Sequence, residues 1–145
     1  MRLLLFLIVF YCAGPAITTE VNTHITFKCT LNTHWCVEAT VLENDNMFPD
    51  IIAKSGKQCQ SIKEVLISMH GTVFGFGYKN EIHDIEVQIK HNCSSDGRSM
   101  QLRANLGSFK SVKEFADFKK YGDITNVDSI GGLLNFNNGK IVNYL

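Results

Sequence analysis

The chain has 145 residues, with 14 basic against 14 acidic side chains. That length fits one domain, and 45% hydrophobic beside 19% charged residues excludes wholesale disorder. Zero formal net charge leaves no basic excess to neutralise phosphates, so no nucleic-acid partner is expected.

Arg2 precedes the apolar run Leu3–Tyr11, and the small-residue stretch Cys12-Ala13-Gly14-Pro15-Ala16 follows it. A bilayer span needs about 20 apolar residues, and this run is far shorter. Residues 1–16 therefore read as a secretory signal peptide, cleaved after Ala16 or after Gly14. The expected organisation is a single domain over 17–128, then an extended C-terminal tail over 129–145. The mature chain is expected to be secreted, soluble and without a transmembrane segment.

The signal takes Cys12 with it, leaving Cys29, Cys36, Cys59 and Cys93. Four cysteines in an oxidising compartment read as two disulfides with three possible connectivities. The rival is a metal site, because His34-Trp35-Cys36 and His91-Asn92-Cys93 each place a histidine two residues before a cysteine. No C-x-x-C pair accompanies them, so neither metal nor cofactor is expected. A nucleophilic cysteine would have to stay unpaired.

Val21, Thr23, Ile25 and Phe27 alternate with polar neighbours, the period of a half-buried strand ending at Cys29. Val37, Ala39 and Val41 form a second, antiparallel to it. Phe48-Pro49-Asp50 begins a turn before a short Ile51-Ile52-Ala53, and Ser55-Gly56-Lys57-Gln58 reads as a loop. Val65–Met69 is β-branched enough to favour strand, and Thr72–Tyr78 is extended with a bend. Ile85, Val87 and Ile89 mark the clearest strand, and Ser94-Ser95-Asp96-Gly97 turns it into Met100, Leu102 and Ala104. Ser111-Val112-Lys113-Glu114 fits a capping box, and Val112, Phe115 and Phe118 follow helical spacing, so one short helix is expected before Gly122. Ile124, Val127 and Ile130 follow in extended chain. Six or seven short strands of this kind bury their apolar faces best as a β-sandwich.

Three stretches together resemble the nematode transthyretin-like family. Cys29 followed by Val37, Ala39, Val41, Glu43 and Asp45 is similar to the family's first two strands. Ile85, Val87, Ile89, His91, Asn92, Cys93, Asp96 and Gly97 resemble its apolar strand, His-x-Cys and acidic turn. Tyr121-Gly122-Asp123-Ile124 with Asn126-Val127 is similar to its final strand. The resemblance covers roughly residues 21–128. It departs at Leu31-Asn32-Thr33, where the family has Gly-Lys-Pro. It departs again at Gln58-Cys59-Gln60-Ser61 and at Arg98-Ser99, where a family cysteine is absent, while Cys36 and Cys59 are private to this chain. The resemblance implies an all-β, transthyretin-like (immunoglobulin-like) antiparallel sandwich, here with the one short helix near its C-terminus. It also implies a disulfide between Cys29 and Cys93, which leaves Cys36 with Cys59. The C-terminal catalytic signature of transthyretin-related hydrolases is missing, since the chain ends Ile141-Val142-Asn143-Tyr144-Leu145.

His24, His34, His70, His83 and His91 are scattered without an i,i+4 pair and read as solvated or capping groups. Asp50, Asp84, Glu86 and Asp96 lack calcium-loop spacing and read as solvated strand faces and turns. Phe74, Phe76 and Tyr78 share one face and read as core. Lys110, Lys113, Lys119 and Lys120, mixed with Glu114 and Asp117, read as a charged helix face. Asn92-Cys93-Ser94 is a sequon, so partial glycosylation at Asn92 is expected. The function these readings and the resemblance imply is an extracellular, non-catalytic binding or signalling module. Its partner would be an extracellular or cell-surface protein or a lipid ligand. The alternative is a carrier of a small apolar ligand.

Overall fold

The computed structural model describes residues 17–44, 49–75, 81–110, 115–128 and 133–134. The expected signal peptide and most of the C-terminal tail lie outside them. Eight strands run through the described residues: β1 (Ile17–Lys28), β2 (Trp35–Glu43), β3 (Asp50–Gln60), β4 (Glu64–Gly75), β5 (Ile82–His91), β6 (Met100–Lys110), β7 (Phe115–Asp123) and β8 (Leu133–Leu134). They form a three-stranded sheet in the order β4-β1-β7 and a five-stranded sheet in the order β3-β2-β5-β6-β8. Among the described residues no helix is long and apolar enough to cross a membrane.

Period-two alternation decides which face of each sheet is dry. Val21, Ile25 and Phe27 of β1 and Ile67, Met69 and Val73 of β4 turn inward from the small sheet. They meet Val37, Ala39 and Val41 of β2, Ile85, Val87 and Ile89 of β5, and Leu102, Ala104 and Leu106 of β6 in one core. The arrangement is sandwich-like. Trp35 and Phe27 are fully buried, and a side chain of that kind contributes about 1.5–3 kcal/mol by leaving water. The Trp35 indole N–H donates to the Ile62 carbonyl at 2.8 Å, which satisfies its one polar atom.

Four expectations about the fold need correction. The helix expected around Phe115 and Phe118 is a strand. β7 lies against β1, with Phe118 half-buried and Ala116 buried while Phe115, Asp117 and Tyr121 face outward. One side of β1 pairs with β4, so its other side would present a row of backbone donors and acceptors. Pairing them outweighs a helix preference of a few tenths of a kcal/mol per residue. The capping-box residues 111–114 lie outside the described residues.

The sandwich is not purely antiparallel. β1 and β7 run parallel, as do β6 and β8. β6 ends at Lys110 in the large sheet and β7 begins at Phe115 in the small one, entering from the same end as β1. β1 and β2, read as an antiparallel pair, also lie in different sheets.

The loop expected at Ser55–Gln58 is part of a continuous β3. Its polarity reflects an exposed edge strand rather than a break. A bulge absorbs the irregularity: the register shifts between Glu38 and Thr40, and Gly56 takes a φ of 68°. There the Ala39 N–H donates to the Ser55 hydroxyl at 3.0 Å in place of a ladder carbonyl.

Candidate functional site

Both disulfides lie at the same end of the two sheets. Cys29 pairs with Cys93 and Cys36 with Cys59. Cys29 and Cys93 are fully buried where β1 and β5 end, and their Cα atoms are 5.9 Å apart. Backbone bonds knit the surroundings. Cys29 N–H donates to Lys63 O at 2.8 Å and Asn126 N–H to Cys93 O at 2.9 Å. Cys36 and Cys59 face each other directly across β2 and β3, with Cα atoms 4.0 Å apart. Cys59 is exposed and Cys36 half-buried.

A cleft of about 290 Å³ opens beside Cys36, walled by Glu38, Lys57, Lys90, His91 and Asn92. The Asn92 side-chain carbonyl accepts the Cys36 N–H at 2.6 Å, so the sequon asparagine is half-buried and tied to β2. His91 is buried. Its Nε2–H donates to the Val127 carbonyl at 2.9 Å, which leaves Nδ1 as the unprotonated nitrogen. Burial pulls the imidazole below its ordinary pKa, against opposing pulls from the Val127 carbonyl and Asp128. In the adjoining turn the Arg98 N–H and the Ser94 hydroxyl hold the exposed Asp96 carboxyl below its usual range.

The outer face of the small sheet has a different character. Register places Leu66, Thr26 and Tyr121 in one row across β4, β1 and β7. Ser68, His24 and Lys119 form the next row, then His70, Asn22 and Asp117, then Thr72, Glu20 and Phe115, and Phe74 stands opposite Thr18. Seven large hydrophobic side chains are exposed among the described residues, and four of them stand on this face. Leu66 is 60% exposed, Phe74 70%, Phe115 51% and Tyr121 39%. The core position expected for Phe74 is therefore wrong: Val73, in phase with Ile67 and Met69, takes the inward place. Phe76 and Tyr78 lie outside the described residues. Polar groups fill the centre. His24 Nδ1 is hydrogen-bonded to the Ser68 hydroxyl at 2.9 Å, and His70 Nδ1 to the Asn22 side-chain oxygen at 2.7 Å. Asp117 stands 3.8 Å from His24 Nε2 and 3.4 Å from the Lys119 ammonium. The Tyr121 hydroxyl donates to Glu64 at 3.1 Å. Partial desolvation, and then that carboxylate, hold the Tyr121 phenol above its ordinary pKa.

Ser68, His24 and Asp117 thus align in the residue types of a nucleophilic triad, but on an open surface. Backbone N–H groups of adjacent strands point within the sheet plane, so none is aimed outward at a developing oxyanion. The face offers side-chain hydrogen bonds and apolar anchors.

The remaining candidates divide. His34 is exposed, with Nδ1 3.2 Å from the Ser61 hydroxyl. Asp50, Asp84 and Asp96 are exposed as expected. Glu86 is not a solvated carboxylate: it is buried, paired with Arg103, and accepts the Asn44 side-chain N–H at 2.9 Å. His83 is buried too, against Glu43, with its ring centroid 5.2 Å from that of Phe109. The sequence carried a signal for both buried histidines, since His83 and His91 continue the phase of Ile85, Val87 and Ile89. Leu66, Phe115 and Tyr121 were missed as surface anchors; phase carries the signal for Leu66, which is out of step with buried Ile67, and none marks Phe115 or Tyr121. Lys110, Lys119 and Lys120 belong to strands rather than to a helix face. Lys113 lies outside the described residues.

Residues 24–128 match a family described as Caenorhabditis elegans protein of unknown function (DUF870). The chain belongs to this family. The matched segment of this DUF870 chain contains all four disulfide cysteines and the outer face from His24 to Tyr121. No curated protein matches the chain. A solved structure, an alternative pilotin from the type II secretion system of Vibrio cholerae, is similar at 10% identity and a TM-score of 0.36. That likeness covers 72% of this chain and 96% of the pilotin, and it is too slight to carry an argument.

Proposed function

We propose that this DUF870 protein is a secreted, non-catalytic binding module of transthyretin-like character, and that it meets an extracellular or cell-surface protein through the outer face of the small sheet. One observation carries the reading: Leu66, Phe74, Phe115 and Tyr121 stand exposed around a polar centre on a single face. Aromatic anchors bordering satisfied polar groups are the composition of a recognition surface. From Leu66 to Phe74 the face is about 27 Å long, and three strands with their margins span roughly 15 Å. Its area, about 400 Å², is half of one side of a standard interface, which fits a weak or transient contact. Secretion is supported by the run behind Arg2 and by the two disulfides. The transthyretin-like character is supported by the Cys29–Cys93 bond at two strand ends. The apolar-carrier alternative gains nothing from the cleft, where Glu38, Lys57 and Lys90 would have to be desolvated.

A photo-crosslinking residue placed at Phe74, or at Lys57 on the opposite sheet as control, tests the surface in nematode tissue. Adducts formed from Phe74 and suppressed by Tyr121→Ser are expected. Adducts formed only from Lys57 would move the working surface to the other sheet.

A further inference from the structure

The two disulfides differ in a way that their shared end of the fold does not require. Cys29–Cys93 is wholly buried, whereas Cys59 is open to solvent on edge strand β3. Beside the exposed pair stands His34. A ring nitrogen of His34 and the sulfurs of Cys36 and Cys59 all lie within 4.8 Å of one another, and no other group of three such donors occurs among the described residues. His34 is positioned rather than adrift. Trp35, its neighbour in the chain, is buried and bonded to Ile62, and Nδ1 of His34 meets the Ser61 hydroxyl at 3.2 Å.

We propose that reduction of Cys36–Cys59 converts this corner into a site for a thiophilic divalent cation of the zinc class, held by His34, Cys36 and Cys59. A thiolate of a small dithiol, or of a thiol–disulfide oxidoreductase, attacks the exposed Cys59 sulfur. The S–S bond breaks, and the Cys36 sulfur leaves as a thiolate and takes up a proton. The reductant's second thiol then displaces Cys59 and forms the reductant's own disulfide. Two electrons and two protons reach the protein in all. Binding of the cation releases two protons as both sulfurs become thiolates.

The geometry requires little movement. Two thiolates about 2.3 Å from a tetrahedral zinc ion lie roughly 3.8 Å apart. The two sulfurs, once reduced, reach that separation by side-chain rotation because their backbones already face each other in register. An imidazole and two thiolates are soft, neutralising donors for zinc, and three protein ligands leave a fourth position for water. Cys36 lines the 290 Å³ cleft, so solvent reaches it. The buried Cys29–Cys93 bond keeps β1 and β5 joined meanwhile.

The test uses the full mature chain, graded dithiol, mass-coded alkylation of freed thiols, and Co²⁺ as a spectroscopic stand-in for zinc. Cys36 and Cys59 are expected to label at a dithiol concentration at least about tenfold below that needed for Cys29 and Cys93. The partly reduced chain is expected to take up one Co²⁺ with tetrahedral bands and a thiolate charge-transfer band. Cys59→Ser abolishes that band, and His34→Ala weakens binding by about tenfold or more. All four cysteines labelling together would overturn the proposal. So would Co²⁺ affinity unchanged in His34→Ala, a variant at an exposed position whose folding does not depend on the site.

Discussion

The disulfides offer the sharpest quantitative test of the fold. In the chain-entropy model a crosslink constrains the unfolded chain by an amount set by its loop. The separations are 64 residues for Cys29–Cys93 and 23 for Cys36–Cys59. They correspond to about 4.3 and about 3.4 kcal/mol at room temperature. Burial widens the gap. Replacing both Cys29 and Cys93 with alanine removes two sulfurs from a fully buried position, which costs about 1 kcal/mol more in lost packing. Replacing Cys36 and Cys59 removes atoms that are half-buried or exposed. The expected losses are therefore about 5 kcal/mol for the Cys29→Ala, Cys93→Ala variant and about 3 kcal/mol for the Cys36→Ala, Cys59→Ala variant. Domains of this size hold about 5–15 kcal/mol in all, so the first variant is left near the edge of folding. Urea unfolding under non-reducing conditions, followed by Trp35 fluorescence, measures both. Larger m-values should accompany both losses, because the freed unfolded chains expose more surface. Equal losses, or a larger one for the Cys36–Cys59 pair, would refute the reasoning from loop length and burial.

Gly71→Ala is expected to cost about 3 kcal/mol, because the added methyl would stand 2.2 Å from the Ile52 backbone oxygen where β4 passes β3. Gly56→Ala meets nothing within 4 Å and should lose only about 1 kcal/mol, for its positive φ, in the same chemical denaturation. His91, whose folded pKa lies below the ordinary value, makes the unfolded chain the better proton acceptor. Its contribution is intact above pH 6.5 and is lost as the pH falls from there toward the folded pKa. Thermal melts between pH 7.5 and pH 5 should show that decline, and His91→Gln, which keeps an N–H for Val127, should flatten it.

Strand existence was legible from the chain wherever one face is dry, because alternation is a local record of a one-sided environment. That holds for β1, β2 and β5, whose alternating apolar residues are all buried. The candidate surface was partly legible for the same reason, since Leu66 breaks phase with buried Ile67 beside it. The disulfide partners were open among three pairings on composition alone. Strand placement decides them, by bringing the ends of β1 and β5 together and setting Cys36 opposite Cys59.

Other features belong to the tertiary structure alone. No period-two alternation of apolar residues marks Phe115–Asp123 as a strand, and the helical spacing of Phe115 and Phe118 points the other way. The unpaired side of β1 supplies the backbone partners that make it one. The polarity of β3 likewise marks an edge rather than a loop, a distinction set by its pairing with β2. Burial of Glu86 needed a partner distant in sequence, Arg103, and the pairing of His83 with Glu43 needed the inner face at the end of β2. Short-range pattern records what a residue's own strand needs from water. Which backbone lies on its other side, and which charge waits across the sheet, are set by chain segments tens of residues away.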